Sequence, residues 1–110
     1  MGAYNLVLDV TASCPRCGTP STIDVQFKYG ATGQHSYRIG DRLTWGGNDI
    51  GTPGKGSVVV DGAADSGCSA CGYDGDWDRY VHVSSDRIDR VTPADGSIDF
   101  VTASSSYVDT

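Results

Sequence analysis

At 110 residues the chain has the length of one ordinary domain, enough to bury about two-thirds of its unfolded surface and too little for two separate cores. Its formal charge is −6 and its isoelectric point is near 4.5, so on average it repels phosphate backbones; only Lys28, Lys55 and six scattered arginines offset this, which argues against a nucleic-acid partner. All fourteen acids are Asp, and helix-favouring Glu, Leu, Met and Gln are absent or scarce, whereas eleven Val, nine Thr, six Tyr and fifteen Gly suit short strands joined by glycine turns, so the expected fold class is mainly β.

The opening Met1-Gly2-Ala3-Tyr4-Asn5 has no basic region followed by an apolar run. No stretch approaches the ~20 apolar residues that span a bilayer, so the expectation is a cytoplasmic chain without membrane association. Gly2 does not open a myristoylation motif, because position 6 is Leu6 where that motif needs Ser or Thr. Leu6, Leu8 and Val10 alternate with Val7, Asp9 and Thr11, which predicts a strand leading into Cys14. A cleaner alternation sets Ile23, Val25, Phe27 and Tyr29 on one face and Thr22, Asp24, Gln26 and Lys28 on the other. Turn chemistry at 30–33 predicts a hairpin whose returning strand covers 35–39, extended through 42–45. Five glycines and Pro53 between 46 and 56 predict a long loop. Val58-Val59-Val60 reads as a short buried strand, followed by strands at 80–84, 87–91 and 97–102. The expected organisation is one domain over 1–103 and a C-terminal tail over 104–110.

Four cysteines fall in two pairs, Cys14-Pro15-Arg16-Cys17-Gly18 and Cys68-Ser69-Ala70-Cys71-Gly72. Tetrahedral zinc takes four soft ligands, and two residues between paired cysteines let one tight turn aim both sulfurs at a single ion. A glycine after each second cysteine can adopt positive φ and close that turn, bringing backbone N–H groups towards the sulfurs. The candidate metal ligands are therefore Cys14, Cys17, Cys68 and Cys71, with one zinc per chain. Two disulfides, or four plain thiols, are the alternatives; the paired spacing and a reducing cytoplasm weigh against them.

The two knuckles and their flanking strands resemble the zinc-ribbon class, in which two such turns on separate β-hairpins pinch one zinc. That resemblance implies a small antiparallel β domain built around a two-knuckle metal site. Fifty residues separate Cys17 from Cys68, so strands must be inserted between the knuckles. The same segments also resemble rubredoxin knuckles in reversed order, which implies iron and electron transfer as a weaker alternative. With four cysteines ligating, no coordination position remains for an activated water, so the ion would serve folding and not catalysis.

The remaining signals are weaker. Asp74, Asp76 and Asp78 open like a calcium loop, but Arg79 and Ser85 stand where Gly and Glu are required. The glycines at 46–56 fit neither phosphate-loop spacing. His82 falls on an expected strand face with Tyr80 and Ser84 and is expected to be exposed; His35 shares a face with Tyr37 and Ile39. Neither histidine has a catalytic partner in sequence, and no nucleophile motif occurs, so no enzymatic activity is expected. Trp45, beside the glycine loop, is the candidate contact residue. The expected function is a zinc-stabilised protein-interaction or accessory module whose partner is another protein, one of basic character suiting the acidic surface; a nucleic-acid-associated ribbon is the alternative.

Overall fold

A computed structural model describes residues 4–14, 16–47, 49–64, 71, 78–94, 96, 98, 100 and 107–109. Among them run nine strands: β1 (Asn5–Ser13), β2 (Pro20–Phe27), β3 (Gly30–Ala31), β4 (Ser36–Tyr37), β5 (Asp49–Ile50), β6 (Val58–Ala64), β7 (Asp78–Ser84), β8 (Arg87–Pro93) and β9 (Tyr107–Asp109). Seven of them form one curled sheet in the order β4-β1-β2-β6-β7-β8, with β9 also on β6, while β3 and β5 pair separately. Every pairing is antiparallel except that of β4 with β1. The mainly β fold with strands inserted between the two cysteine pairs is as the composition and spacing imply.

β2 keeps the expected phase: Ser21, Ile23, Val25 and Phe27 are buried, and the residues between them are not. β1 does not. Val7 pairs with Val25 and Val10 with Ile23, so β1 spends three residues where β2 spends two. The extra residue is a β-bulge at Asp9, whose φ is +57° and whose N–H donates to the Asp24 carboxylate at 3.2 Å. The bulge resets the alternation, so Val7 and Val10 are buried together while Leu6 and Leu8 are only half-buried. A single period-two reading of Leu6, Leu8 and Val10 is thereby corrected.

The hairpin expected at 30–39 is also replaced. Gly30 and Ala31 pair with Ile50 and Asp49, inside the stretch read as a plain loop, and Ser36 and Tyr37 lie parallel on Leu6 and Val7. The organiser is Asn5, fully buried: its amide donates to the carbonyls of Tyr29 and Ala31, both at 3.1 Å, and its Oδ1 accepts the His35 N–H at 3.1 Å. One side chain thus supplies three bonds that a β2–β4 ladder would otherwise provide, and the segment between leaves the sheet. Residues 42–45 do not extend a hairpin either. Arg42 bridges Arg87, and Gly40, Leu43 and Ile88 exchange backbone bonds with β8 and the 38–41 turn.

Val7, Val10, Cys14, Ile23, Val25, Phe27, Tyr29, Val58, Val60, Val81, Val83 and Ile88 fill the inside of the curl. At Gly62 the backbone is so closely packed that a Cβ would approach Val25 Cγ1 to 2.9 Å and the Gln26 carbonyl to 3.1 Å, so β2 and β7 can draw in only over a glycine. Residues 107–109, expected within a tail, form β9 on Val58–Val60 of β6. Of the strand expected at 97–102, only Ile98 and Phe100 are described, and their N–H and ring meet Tyr80: Ile98 N–H donates to its hydroxyl at 3.3 Å, and the rings lie edge-on at 5.9 Å.

Candidate metal centre

Sheet order brings the two cysteine pairs together. β2 runs antiparallel to β6 with Val25 opposite Ala64, so the start of β2 and the end of β6 lie at the same end of the sheet. The β1–β2 turn and the β6–β7 connection, each carrying one Cys-x-x-Cys pair, therefore leave side by side.

The first turn is closed by its own backbone. Cys14 N–H donates to the Thr19 carbonyl at 3.0 Å, Gly18 N–H donates to the Cys14 carbonyl at 2.9 Å, and Gly18 takes φ +73°. Open space surrounds a Cβ placed at Gly18, so conformation and not crowding calls for glycine there. Arg16 and Cys17 each direct an N–H at Cys14 Sγ, both at 3.4 Å. A sulfur receiving two N–H groups is an environment built for a thiolate, because each donor stabilises negative charge on it.

Cys71, 57 positions along the chain, puts its sulfur 3.6 Å from Cys14 Sγ. With Cys17 the three sulfurs all lie within 4.8 Å of one another. Two sulfurs each ~2.3 Å from a tetrahedral zinc stand about 3.8 Å apart, whereas disulfide-bonded sulfurs stand about 2.05 Å apart. The geometry fits convergence on a common ion, and no disulfide joins Cys14, Cys17 and Cys71 to one another. Cys14 is buried on the core side, while Cys17 and Cys71 are exposed, so the cluster sits at the rim of the sheet with one foot in the core. Hydrogen bonds from the Thr19 side chain and backbone hold the Cys17 thiol below its ordinary value, with smaller help from Cys14 and Cys71. Cys68, expected as a fourth ligand, and Gly72 lie outside the described residues.

Arg79 escaped the sequence reading. It is only 6% exposed, on the inner face of β7, and its Nη2 donates to the carbonyl of Ser13, the residue before Cys14, at 3.3 Å. Burial lowers its pKa, yet an arginine starts high enough to stay charged. The only sequence signal was a charged residue in phase with Val81 and Val83.

The weaker candidates disperse. Backbone N–H groups of the glycine loop are occupied by the chain's own carboxylates: Gly46 and Gly47 donate to Asp49, and Gly54 donates to Asp86 at 3.0 Å. Such a loop is folded on internal anions and does not form a cradle for an external one. Asp74 and Asp76 lie outside the described residues, and Asp78 starts β7 beside Asp61, whose carboxyl is raised by burial and then by Asp78. His82 is half-buried, not exposed, with a ring nitrogen 2.7 Å from Thr92 Oγ1. His35 packs against Tyr37 with centroids 6.2 Å apart. Trp45 leans on the core edge-on to Tyr29 at 5.4 Å, and its Nε1 meets no acceptor among the described residues. No helix of the described residues is long and apolar enough to cross a membrane.

Comparison with protein-family models, with curated proteins and with solved structures returned no match to this chain.

Proposed function

We propose that the chain is a zinc-stabilised β domain that holds one ion through Cys14, Cys17, Cys71 and Cys68, and that it serves as a protein-interaction or accessory module. The convergence of three sulfurs from two connections 57 positions apart carries this reading, because four long β-strands must be in register before they meet. The spacing Cys68-Ser69-Ala70-Cys71 supplies the fourth thiolate on the pattern of the first turn. Bound zinc would tie two hairpins at one end of the sheet, and in small metal domains such binding supplies about 10 kcal/mol or more of folding free energy. All-thiolate coordination favours zinc over hard cations.

The chain's residues do the positioning. Gly18 closes the first turn, the Arg16 and Cys17 amides orient Cys14, and the Arg79 guanidinium ties β7 to the end of β1 through the Ser13 carbonyl. With glycine-loop amides turned inward onto the chain's own carboxylates and His82 held by the Thr92 hydroxyl, the described residues favour a scaffold over a catalyst. The acidic surface suits a partner that is basic overall.

Elemental analysis of anaerobically purified protein, with a visible absorption spectrum, tests the metal. One zinc per chain and a colourless solution are expected, and a chelator strong enough to strip the ion should lower the melting temperature by more than 10 °C. Iron and a red colour would replace the proposal with an electron carrier, and the absence of any metal would end it.

A further inference from the structure

The three described cysteines do not share one environment. Cys14 is 3% exposed and its sulfur is fixed by the Arg16 and Cys17 N–H groups, both at 3.4 Å, whereas Cys17 and Cys71 are exposed. The Cys17 sulfur is held chiefly by the side chain and backbone of Thr19. Cys71 brings its sulfur to 3.6 Å from that of Cys14, across two connections of the sheet. Disulfide-bonded sulfurs stand about 2.05 Å apart, so this pair needs to close by only about 1.5 Å, a distance within reach of a change in side-chain torsion. One sulfur of the pair is open to solvent, and its partner stands behind it on the core side.

We propose that Cys71 and Cys14 form a peroxide-sensitive pair: hydrogen peroxide converts them to a disulfide, and the oxidised chain releases its metal while keeping its fold. The proposal rests on the reading of the cluster as the zinc site and adds the condition under which that site empties. Exposed Cys71 meets the oxidant first. Its thiolate attacks one peroxide oxygen, the O–O bond breaks, hydroxide leaves and is protonated to water, and the sulfur becomes a sulfenic acid. The Cys14 thiolate then attacks that sulfur, the S–O bond breaks, and a second hydroxide leaves and is protonated. Two thiolates, one hydrogen peroxide and two protons give one disulfide and two waters, with two electrons passing from the sulfurs to the peroxide. Burial of Cys14 keeps peroxide from it, while its contact with Cys71 lets it resolve the sulfenic acid.

The new bond replaces the tie that it removes. Cys14 follows directly on β1 and Cys71 belongs to the connection between β6 and β7, so the disulfide joins the same two connections as the metal. The ladders of β1 with β2, β2 with β6 and β6 with β7 need no change, and the Arg79 guanidinium still reaches the Ser13 carbonyl at 3.3 Å. A cross-link between residues 57 positions apart also restricts the unfolded chain, which favours the folded state. Cys17 and Cys68 are then the only thiolates left, too few for an ion that takes four ligands.

The test treats zinc-loaded protein with an equal amount of hydrogen peroxide and follows the released ion with a chromogenic chelator. Remaining thiols are blocked with N-ethylmaleimide, and the disulfide is mapped by trypsin digestion and tandem mass spectrometry. Trypsin cuts after Arg16, which separates Cys14 from Cys17, and after Lys55 and Arg79, which bracket Cys68 and Cys71. The expected product joins peptide 1–16 to peptide 56–79 through Cys71, with one zinc released per cross-link formed. Its melting temperature should lie closer to that of the zinc-loaded protein than to that of the chelator-stripped thiol form, and a dithiol reductant with added zinc should restore the starting state. Zinc retained under peroxide, a disulfide within either Cys-x-x-Cys pair, any other pairing, or oxidised protein that melts with the stripped form would overturn the proposal. Metal content measured before peroxide separates the two readings. A zinc-loaded chain that yields no Cys14–Cys71 disulfide sinks the redox pair alone, and a chain that carries no zinc sinks the metal reading and this one with it.

Discussion

Asn5→Ala should destabilise the protein more than any conservative change in the valine core. The side chain is fully buried and makes three hydrogen bonds at 3.1 Å, two donated to the Tyr29 and Ala31 carbonyls and one accepted from the His35 N–H. Removing it leaves three main-chain groups buried without their partner, each costing about 1–3 kcal/mol. Allowing for partial relaxation and water entry, the net loss should be about 3–4 kcal/mol, a large share of a typical domain's 5–15. At roughly 4–6 °C per kcal/mol for a chain of this size, the melting temperature should fall by about 12–24 °C. Asn5→Asp should be worse at neutral pH, since a carboxylate would face two carbonyl oxygens it cannot donate to. Its folded-state pKa would be raised, so stability should recover as the pH falls towards 5. Urea denaturation followed by circular dichroism at pH 7 and pH 5, on metal-loaded samples, measures both. A loss under 1 kcal/mol for Asn5→Ala, or equal behaviour of the two variants at pH 7, would refute the view that Asn5 sets the path of residues 28–35.

Gly51→Ala should cost about 2–4 kcal/mol, because Gly51 has φ +90° and a Cβ there would run into the Tyr29 ring, whereas Gly40→Ala, at φ +98° in open space, should cost only about 1–2; paired thermal melts compare them. Asp61→Asn should stabilise at pH 7 and change little at pH 3: burial and Asp78 raise this carboxyl, so its stabilising protonated form is present below its unfolded value and lost as the pH rises through the folded one. His82 should act in the opposite sense. Burial and then Arg90 depress its pKa, so its contribution is present above about pH 6.5 and lost on acidification, and His82→Gln should flatten the difference in urea midpoint between pH 7.5 and 5.5.

How far the sequence could be read varied with how local the governing physics is. β2 was legible because its alternation is unbroken and its whole inner face is buried. β1 looked equally regular, but its bulge depends on Asp24 across the ladder and on Arg38 beyond it, which no window along β1 contains. The segment from Gly30 to Ile39 carries turn chemistry that fits a hairpin, and only the buried amide of Asn5 diverts it. The cysteine spacing announced a knuckle, and Gly18 behaves as that spacing requires. Arg79 was invisible for a physical reason: a charge is buried only when tertiary structure surrounds it, and the carbonyl it meets belongs to a strand 66 positions away.

The pairing of β9 with Val58–Val60 has a consequence for handling and for turnover. Three consecutive valines with an open main-chain edge are the kind of segment that seeds intermolecular stacking, having high β-propensity and no charge, proline or glycine to interrupt it. Val59 meets Val108, and Tyr107 adds its ring to Tyr29 at 5.1 Å, so β9 acts as a sheath over that run. Loss of β9 would bare that run and strip Tyr107 from the edge of the core, leaving an aggregation-prone strand edge exposed.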